Sequence, residues 1–191
     1  MIREPSRQGG FTLLELMIAI IIVAIITSAI TVSWQNLAER ITAYRTQSNL
    51  TQSFAVARSN AVTRGEITTI CPLNQSLNCS SNWEDRISVF VDPQNERALS
   101  PNTELIRIHD SASSGSLTAS SSGTTERRYF QYNSDGSTRG TMGNIVWCPS
   151  SGESSQAIQL RMNFGGRITW AVDHSGNGIR EDASGNPLIC N

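Results

Sequence analysis

Lysine is absent from this chain; all 15 of its Lys and Arg residues are arginine. Any cationic contact to a phosphate would therefore fall to arginine. Aromatic residues are scarce, at 6%, while Ser, Thr, Asn and Gly abound. That composition argues against a helical bundle and suits a loop-rich β domain. An excess of one charge is also missing: the formal net charge is −1, so no gross basic field points to nucleic acid. There is no Cys-x-x-Cys, and His109 and His174 lack ligand spacing, which argues against a zinc site. Gly-x-Ser-x-Gly, His-Glu-x-x-His and the P-loop are absent too. No enzyme class, metal or cofactor is indicated.

One long apolar run is present. Residues 11–30 read FTLLELMIAIIIVAIITSAI, and a helix of that length rises about 30 Å, roughly the thickness of a bilayer's hydrocarbon core. Glu15 is the one carboxylate inside it. Such an acid costs on the order of a few kcal/mol at the bilayer centre and less near its edge, so one kept there has a partner. The flank before the run is short and basic, with Arg3 and Arg7 against Glu4, and it ends in Gly9-Gly10. A secretory signal places its small residues after the apolar core. Here they come before it, so cleavage after Gly10 would remove a polar leader and leave the helix in place.

Gly10, Phe11, Thr12, Leu13 and Glu15 together resemble the class III signal peptide of type IV pilins and type II secretion pseudopilins. The resemblance implies that a prepilin peptidase cuts between Gly10 and Phe11 and methylates the Phe11 nitrogen. It also implies that Glu15 pairs with the terminal amine of a neighbouring subunit. The partners would then be other minor and major pilins, met through the N-terminal helix. A second stretch narrows the likeness. Ala57-Arg58-Ser59-Asn60-Ala61, then Arg64-Gly65, Ile70-Cys71, Trp83 and Val89-Phe90-Val91-Asp92 are similar to the GspH/FimT-type minor pilins and pseudopilins, FimU-like proteins among them. The function implied is a minor pilin that helps to initiate or cap a type IV pilus. The alternatives are a GspH-type pseudopilin of a type II secretion system and a DNA-binding, FimT-like minor pilin. Some FimT-type pilins bind DNA through Gly-Arg-x-Arg. Here Gly166-Arg167-Ile168-Thr169 keeps one arginine of the two, which removes a phosphate contact. Arg161, Arg167 and Arg180 remain as a candidate basic face.

Four segments follow. Residues 1–10 read as the leader, 11–34 as a transmembrane or filament-core helix, 35–65 as its amphipathic continuation, and 66–191 as a β-rich globular domain. The basic flank would hold the N-terminus in the cytoplasm, with the body on the periplasmic side of a bacterial inner membrane and later in the pilus. No proline interrupts 11–64, and Gly65 offers a C-terminal cap. Leu37, Ile41, Tyr44, Phe54, Ala57 and Ala61 recur near helical spacing and predict the stripe that a sheet covers.

Strand texture appears at 67–71, 86–92, 104–109, 128–132, 144–148, 158–163 and 167–172, the last two forming a hairpin across Gly165-Gly166. Residues 111–125 are Ser/Gly-rich and predict a mobile loop. The sum is an α+β, pilin-like fold, one long helix packed on an antiparallel β-sheet domain. Four cysteines, all beyond the apolar run, favour two disulfides. Three pairings are possible, and Cys71–Cys79 with Cys148–Cys190 is preferred. Residues 173–182 partly resemble a calcium loop, but Ser184 stands where the bidentate acid belongs; an Asx-rich turn is the simpler reading.

Overall fold

The computed structural model describes residues 12–111, 114–121, 125–140 and 142–190, apart from the side chains of 28–33. The chain forms two compact units that divide between Ala38 and Glu39. The first is helical. It begins helix α1 (Leu13–Arg64), whose start is set by Thr12: its Oγ1 accepts the Glu15 N–H at 3.3 Å. This is half of a Thr-x-x-Glu capping box, with Glu15 at the third helical position, where an acid also suits the helix dipole. Large apolar side chains from Leu13 to Ile26 are exposed. Among the described residues no helix is long and apolar enough to cross a membrane. The expected span at 11–34 includes Phe11 and the side chains of 28–33, which lie outside the described residues.

The second unit packs the later turns of α1 against two antiparallel four-stranded sheets. Its strands are β1 (Thr68–Pro72), β2 (Ile87–Val91), β3 (Glu104–His109), β4 (Ser116–Ala119), β5 (Phe130–Tyr132), β6 (Gly143–Cys148), β7 (Ile158–Met162) and β8 (Ile168–Trp170). They order as β3-β2-β1-β5 and β4-β6-β7-β8. Helix α1 ends where Gly65 takes φ +72° and its N–H reaches Ala61 O at 3.0 Å, a conformation that glycine adopts without steric penalty.

One hydrophobic cluster joins all three layers. Leu50, Phe54, Ala57 and Ala61 come from α1, Ile70, Val89, Phe130 and Tyr132 from the first sheet, and Ile145, Trp147, Leu160 and Met162 from the second. Phe54 meets the Phe130 ring edge-on at 5.4 Å. Trp83 does the same at 5.6 Å and donates its indole N–H to Arg127 O at 2.7 Å. Burying a ring of this size contributes roughly 1.5–3 kcal/mol from area alone.

Two expectations are corrected. First, the helix stripe turns away from Leu37, Ile41 and Tyr44, which are 50%, 44% and 74% exposed. The buried line runs instead through Glu39, Ala43, Thr46, Leu50, Phe54, Ala57 and Ala61. At 100° per residue, Leu50 and Ala43 fall within about 40° of Phe54, while Tyr44 lies about 80° away and Ile41 about 140°. Apolar character at those positions mimicked a core spacing that the helix period does not support. Second, 111–125 is not all loop, since β4 lies within it. Its residues pair with β6, Leu117 opposite Trp147, and Leu117 is buried. Short Ser/Thr-rich strands are tolerated at a sheet edge, where one side has no ladder to satisfy.

Candidate functional site

Three groups of residues bear on function: the helix start, the glycine turns facing α1, and the candidate basic face. Gly10 and Phe11 lie outside the described residues. Glu15 is described and exposed in the first turn of α1, its backbone N–H held by Thr12. Along the same stretch Leu13, Leu14, Leu16, Met17, Ile18 and Ile20 are at least half exposed. A contiguous apolar surface of this kind marks a site for lipid or protein rather than water.

At the far end of α1, Arg58 fastens two turns. Its Nε donates to Gly136 O at 3.0 Å, and its Nη2 donates to Gly165 O at 3.0 Å. The first turn follows β5, and the second joins β7 to β8. One guanidinium thus ties the helix to both sheets, a task suited to a planar fork with several donors. The turns also touch directly. A Cβ on Gly166 would sit 2.1 Å from Gly136 O and 2.9 Å from a Tyr132 ring carbon, and Gly166 takes φ +74°. The Tyr132 hydroxyl donates to Gly166 O at 3.1 Å, and burial raises its pKa above the ordinary tyrosine value, so it remains a donor.

Asp92 organises the opposite side. It is fully buried. Its Oδ1 accepts the Glu96 N–H at 2.7 Å and its Oδ2 the Arg97 N–H at 3.0 Å. The Thr69 hydroxyl donates to the same Oδ2 at 2.9 Å. The turn so held carries Asn95 and Arg97 at positive φ. Arg64 closes the end of α1 with two hydrogen bonds to Glu104, at 2.6 and 2.9 Å. The stretch 57–65 therefore fastens the helix to the sheets, while Asp92 fastens the turn after β2 to β1.

The three candidate DNA-binding arginines do not form a common face. Arg180 donates to Ala157 O at 2.8 Å, just before β7. Arg167 lies past the other end of β7, exposed beside Tyr132 and Ile168. The five residues of β7 separate those two ends by roughly 15 Å. Arg161 sits on β7, half-buried, with Nη2 3.4 Å from Trp170 O.

Disulfides join Cys71 to Cys79 and Cys148 to Cys190. The second pins the C-terminal tail beside Ala157, Ala171 and Leu188. In that tail the acids are saturated by N–H donors. Asp173 accepts from Gly176 and Gly178 at 2.7 and 2.8 Å. Glu181 accepts from His174 and Ser175 at 2.6 and 3.2 Å. These backbone N–H groups hold both carboxyls below the usual carboxylate range, the arrangement of turn-closing acids rather than cation ligands. His109 ends β3 with Nδ1 2.9 Å from Asp110 O. Burial outweighs that contact and lowers its pKa.

Sequence reasoning named Arg58 only as part of a motif and missed its role. The capping relation of Thr12 to Glu15 was legible as Thr-x-x-Glu and was also missed.

Comparison with known proteins gives a consistent picture. Residues 46–166 match the family described as type II transport protein GspH, and residues 5–31 match the prokaryotic N-terminal methylation motif. Among solved structures, the chain is similar to the type IV minor pilin FimU of Pseudomonas aeruginosa. That pair is 21% identical, covers 78% of this chain and 96% of FimU, and has a TM-score of 0.47. It is also similar to the minor pseudopilin EpsH from the type 2 secretion system of Vibrio cholerae, at 10% identity, with 67% and 94% covered and a TM-score of 0.47. No curated protein matches.

Proposed function

The chain belongs to the GspH family of minor pilins and pseudopilins, and from that premise we propose that it is a minor pilin that helps to initiate or cap a type IV pilus. The observation that carries this reading is a methylation motif at 5–31 in front of a GspH-family domain at 46–166. On this reading the chain is a structural subunit and performs no reaction. A prepilin peptidase removes 1–10 and methylates Phe11, and the helix from Phe11 onward rests in the inner membrane with the body in the periplasm.

The mechanism is an exchange of environments. The apolar side chains from Leu13 to Ile26 are suited to lipid before assembly and to a bundle of like helices afterwards. Their burial changes little between the two. The partner of Glu15 is what changes: beside a neighbour's Phe11 ammonium its charge is compensated, and in lipid it is not. The pair also sets register, because a one-turn slip of about 5.4 Å separates the charges.

Two variants test this. Glu15→Ala should enter the membrane fraction like the native chain yet be missing from sheared pili; normal incorporation would remove the pairing step. Gly10→Val should run as uncut precursor on an immunoblot, and full processing would remove the peptidase assignment. The family's own description favours a second reading, a pseudopilin of a type II secretion system. Deletion separates the two: the first loses surface pili with secretion intact, and the second the reverse.

A further inference from the structure

The tail from Asp173 to Cys190 supplies much of its own structure. Its acids close its own turns: Asp173 accepts the Gly176 and Gly178 N–H groups, Glu181 those of His174 and Ser175, and Asp182 those of Ser184 and Asn186. Its buried Leu188 joins Ala157 and Ala171 in a small cluster beside Cys148 and Cys190. Among the described residues, the main hydrophobic cluster takes no side chain from the tail. The contacts that hold the tail to the body include Arg180 Nη1, which donates to Ala157 O at 2.8 Å. They also include the Cys190 N–H, which donates to Ser154 Oγ at 3.1 Å, the charge of Asp182 near Arg161, and the Cys148–Cys190 bond itself. A piece with its own turns and a small shared cluster is the kind that opens locally without the rest.

The two disulfides differ in surroundings. Cys71 and Cys79 are 0% and 2% exposed. Cys71 lies in β1, between β2 and β5. Cys79 is held on both sides, its N–H by Arg97 O at 2.9 Å and its carbonyl by the Arg128 guanidinium. A thiolate cannot reach that bond without opening the sheet. Cys148 and Cys190 are half-buried, and Cys190 follows Ile189, which is 70% exposed. Access of this kind governs the rate of thiol–disulfide exchange. We propose that Cys148–Cys190 is a redox-operated clasp, opened by a dithiol while Cys71–Cys79 stays shut, and that its opening frees the tail from an otherwise intact body. One thiolate of the dithiol attacks Cys190 Sγ, and Cys148 leaves as a thiolate. The second thiolate then closes on the mixed disulfide and releases Cys190. The clasp gains two electrons and two protons, and the dithiol becomes a disulfide. With the tail off, Ala157 and Ala171 lose their cover from Leu188, and the Ala157 carbonyl loses Arg180. The clasp is independent of which filament the chain joins.

The test treats the full chain, in neutral detergent and without denaturant, with dithiothreitol for increasing times. N-ethylmaleimide then traps free thiols, which are located by mass spectrometry. Cys148 and Cys190 should be trapped at least about tenfold faster than Cys71 and Cys79. Trypsin reports on the tail: cleavage after Arg180 should be slow in the oxidised chain and should rise about tenfold once the clasp is open. Hydrogen exchange reports on the body, and β1 and β7 should keep their protection after that step. Leu188→Ala loosens the tail from the outset, so it should speed trapping of Cys148 and Cys190 and leave Cys71 and Cys79 unchanged. Equal trapping rates for the two pairs would overturn the proposal. So would an open clasp with Arg180 still resistant to trypsin, which would mean that the tail is held without it. Loss of protection in β1 and β7 together with the clasp would do the same, because the bond would then open only through unfolding of the body.

Discussion

Arg58 shows how much of this fold rests on single groups. Its guanidinium is the shared donor for Gly136 O and Gly165 O. Replacing it with lysine keeps the charge but offers a point donor in place of a fork, so one of the two carbonyls loses its partner. We expect Arg58→Lys to lower unfolding stability by about 1–2 kcal/mol and Arg58→Ala by about 2–3 kcal/mol in urea titration. Equal stability of Arg58→Lys and the native chain would show that the two turns are held by their own contacts. This residue was visible in the sequence as part of Ala57-Arg58-Ser59-Asn60-Ala61, but its use was not. Its acceptors lie 78 and 107 positions away, and nothing local signals a contact at that range. The paired cysteines were easier to read, because an even count leaves few pairings.

At the scale of elements, the glycine turns separate two causes of glycine use. Gly65 and Gly166 both take positive φ, yet a Cβ on Gly65 meets nothing within 4 Å, while one on Gly166 meets Gly136 O at 2.1 Å. Gly65→Ala should therefore cost about 1 kcal/mol, the backbone penalty alone. Gly166→Ala should cost more, on the order of 3 kcal/mol, because the turn between β7 and β8 must also move away from the turn after β5. Thermal melts of the two variants should differ clearly; similar melts would mean that the turns part easily. Period and turn residues made α1, β1, β2, β3, β6 and the β7–β8 hairpin legible. They failed for β4, whose Ser116-Leu-Thr-Ala has the composition of a loop, and for the split into two sheets, which depends on pairings between distant strands. Ile41 and Tyr44 misled for a different reason. They are apolar at plausible spacing, and only extending the period back from Phe54 shows that they face outward.

For the whole molecule, two conditions should govern stability. The Cys148–Cys190 bond spans 42 residues, and constraint of a loop that long in the unfolded chain stabilises by about 4 kcal/mol. Cys148→Ser/Cys190→Ser should melt well below the native chain, and an unchanged melting temperature would mean that the tail contributes little to the folded body. Acid should act in two stages. The pKa of His109 is lowered in the fold, first by burial, so the stability it contributes is complete above the ordinary histidine range near pH 6.5 and is lost as pH falls through the lower folded value. Asp173, Glu181 and Asp182 are depressed chiefly by backbone N–H groups. Their contribution is complete above the ordinary carboxylate range and is lost as pH falls below it. Melting temperature should decline gently below neutrality and steeply below about pH 4. His109→Gln should flatten the first stage alone; a native-like profile for that variant would assign the gentle decline to other groups.

Glu39 carries a practical lesson about where this polypeptide can be shortened. It is 4% exposed and receives the Ser151 hydroxyl at 2.8 Å and the Ser151 amide at 3.2 Å, on the β-domain side of the division after Ala38. A water-soluble fragment for crystals or antibodies should therefore start ahead of Glu39. Trimming a single turn further would leave Ser151 without its acceptor and uncover Ala43.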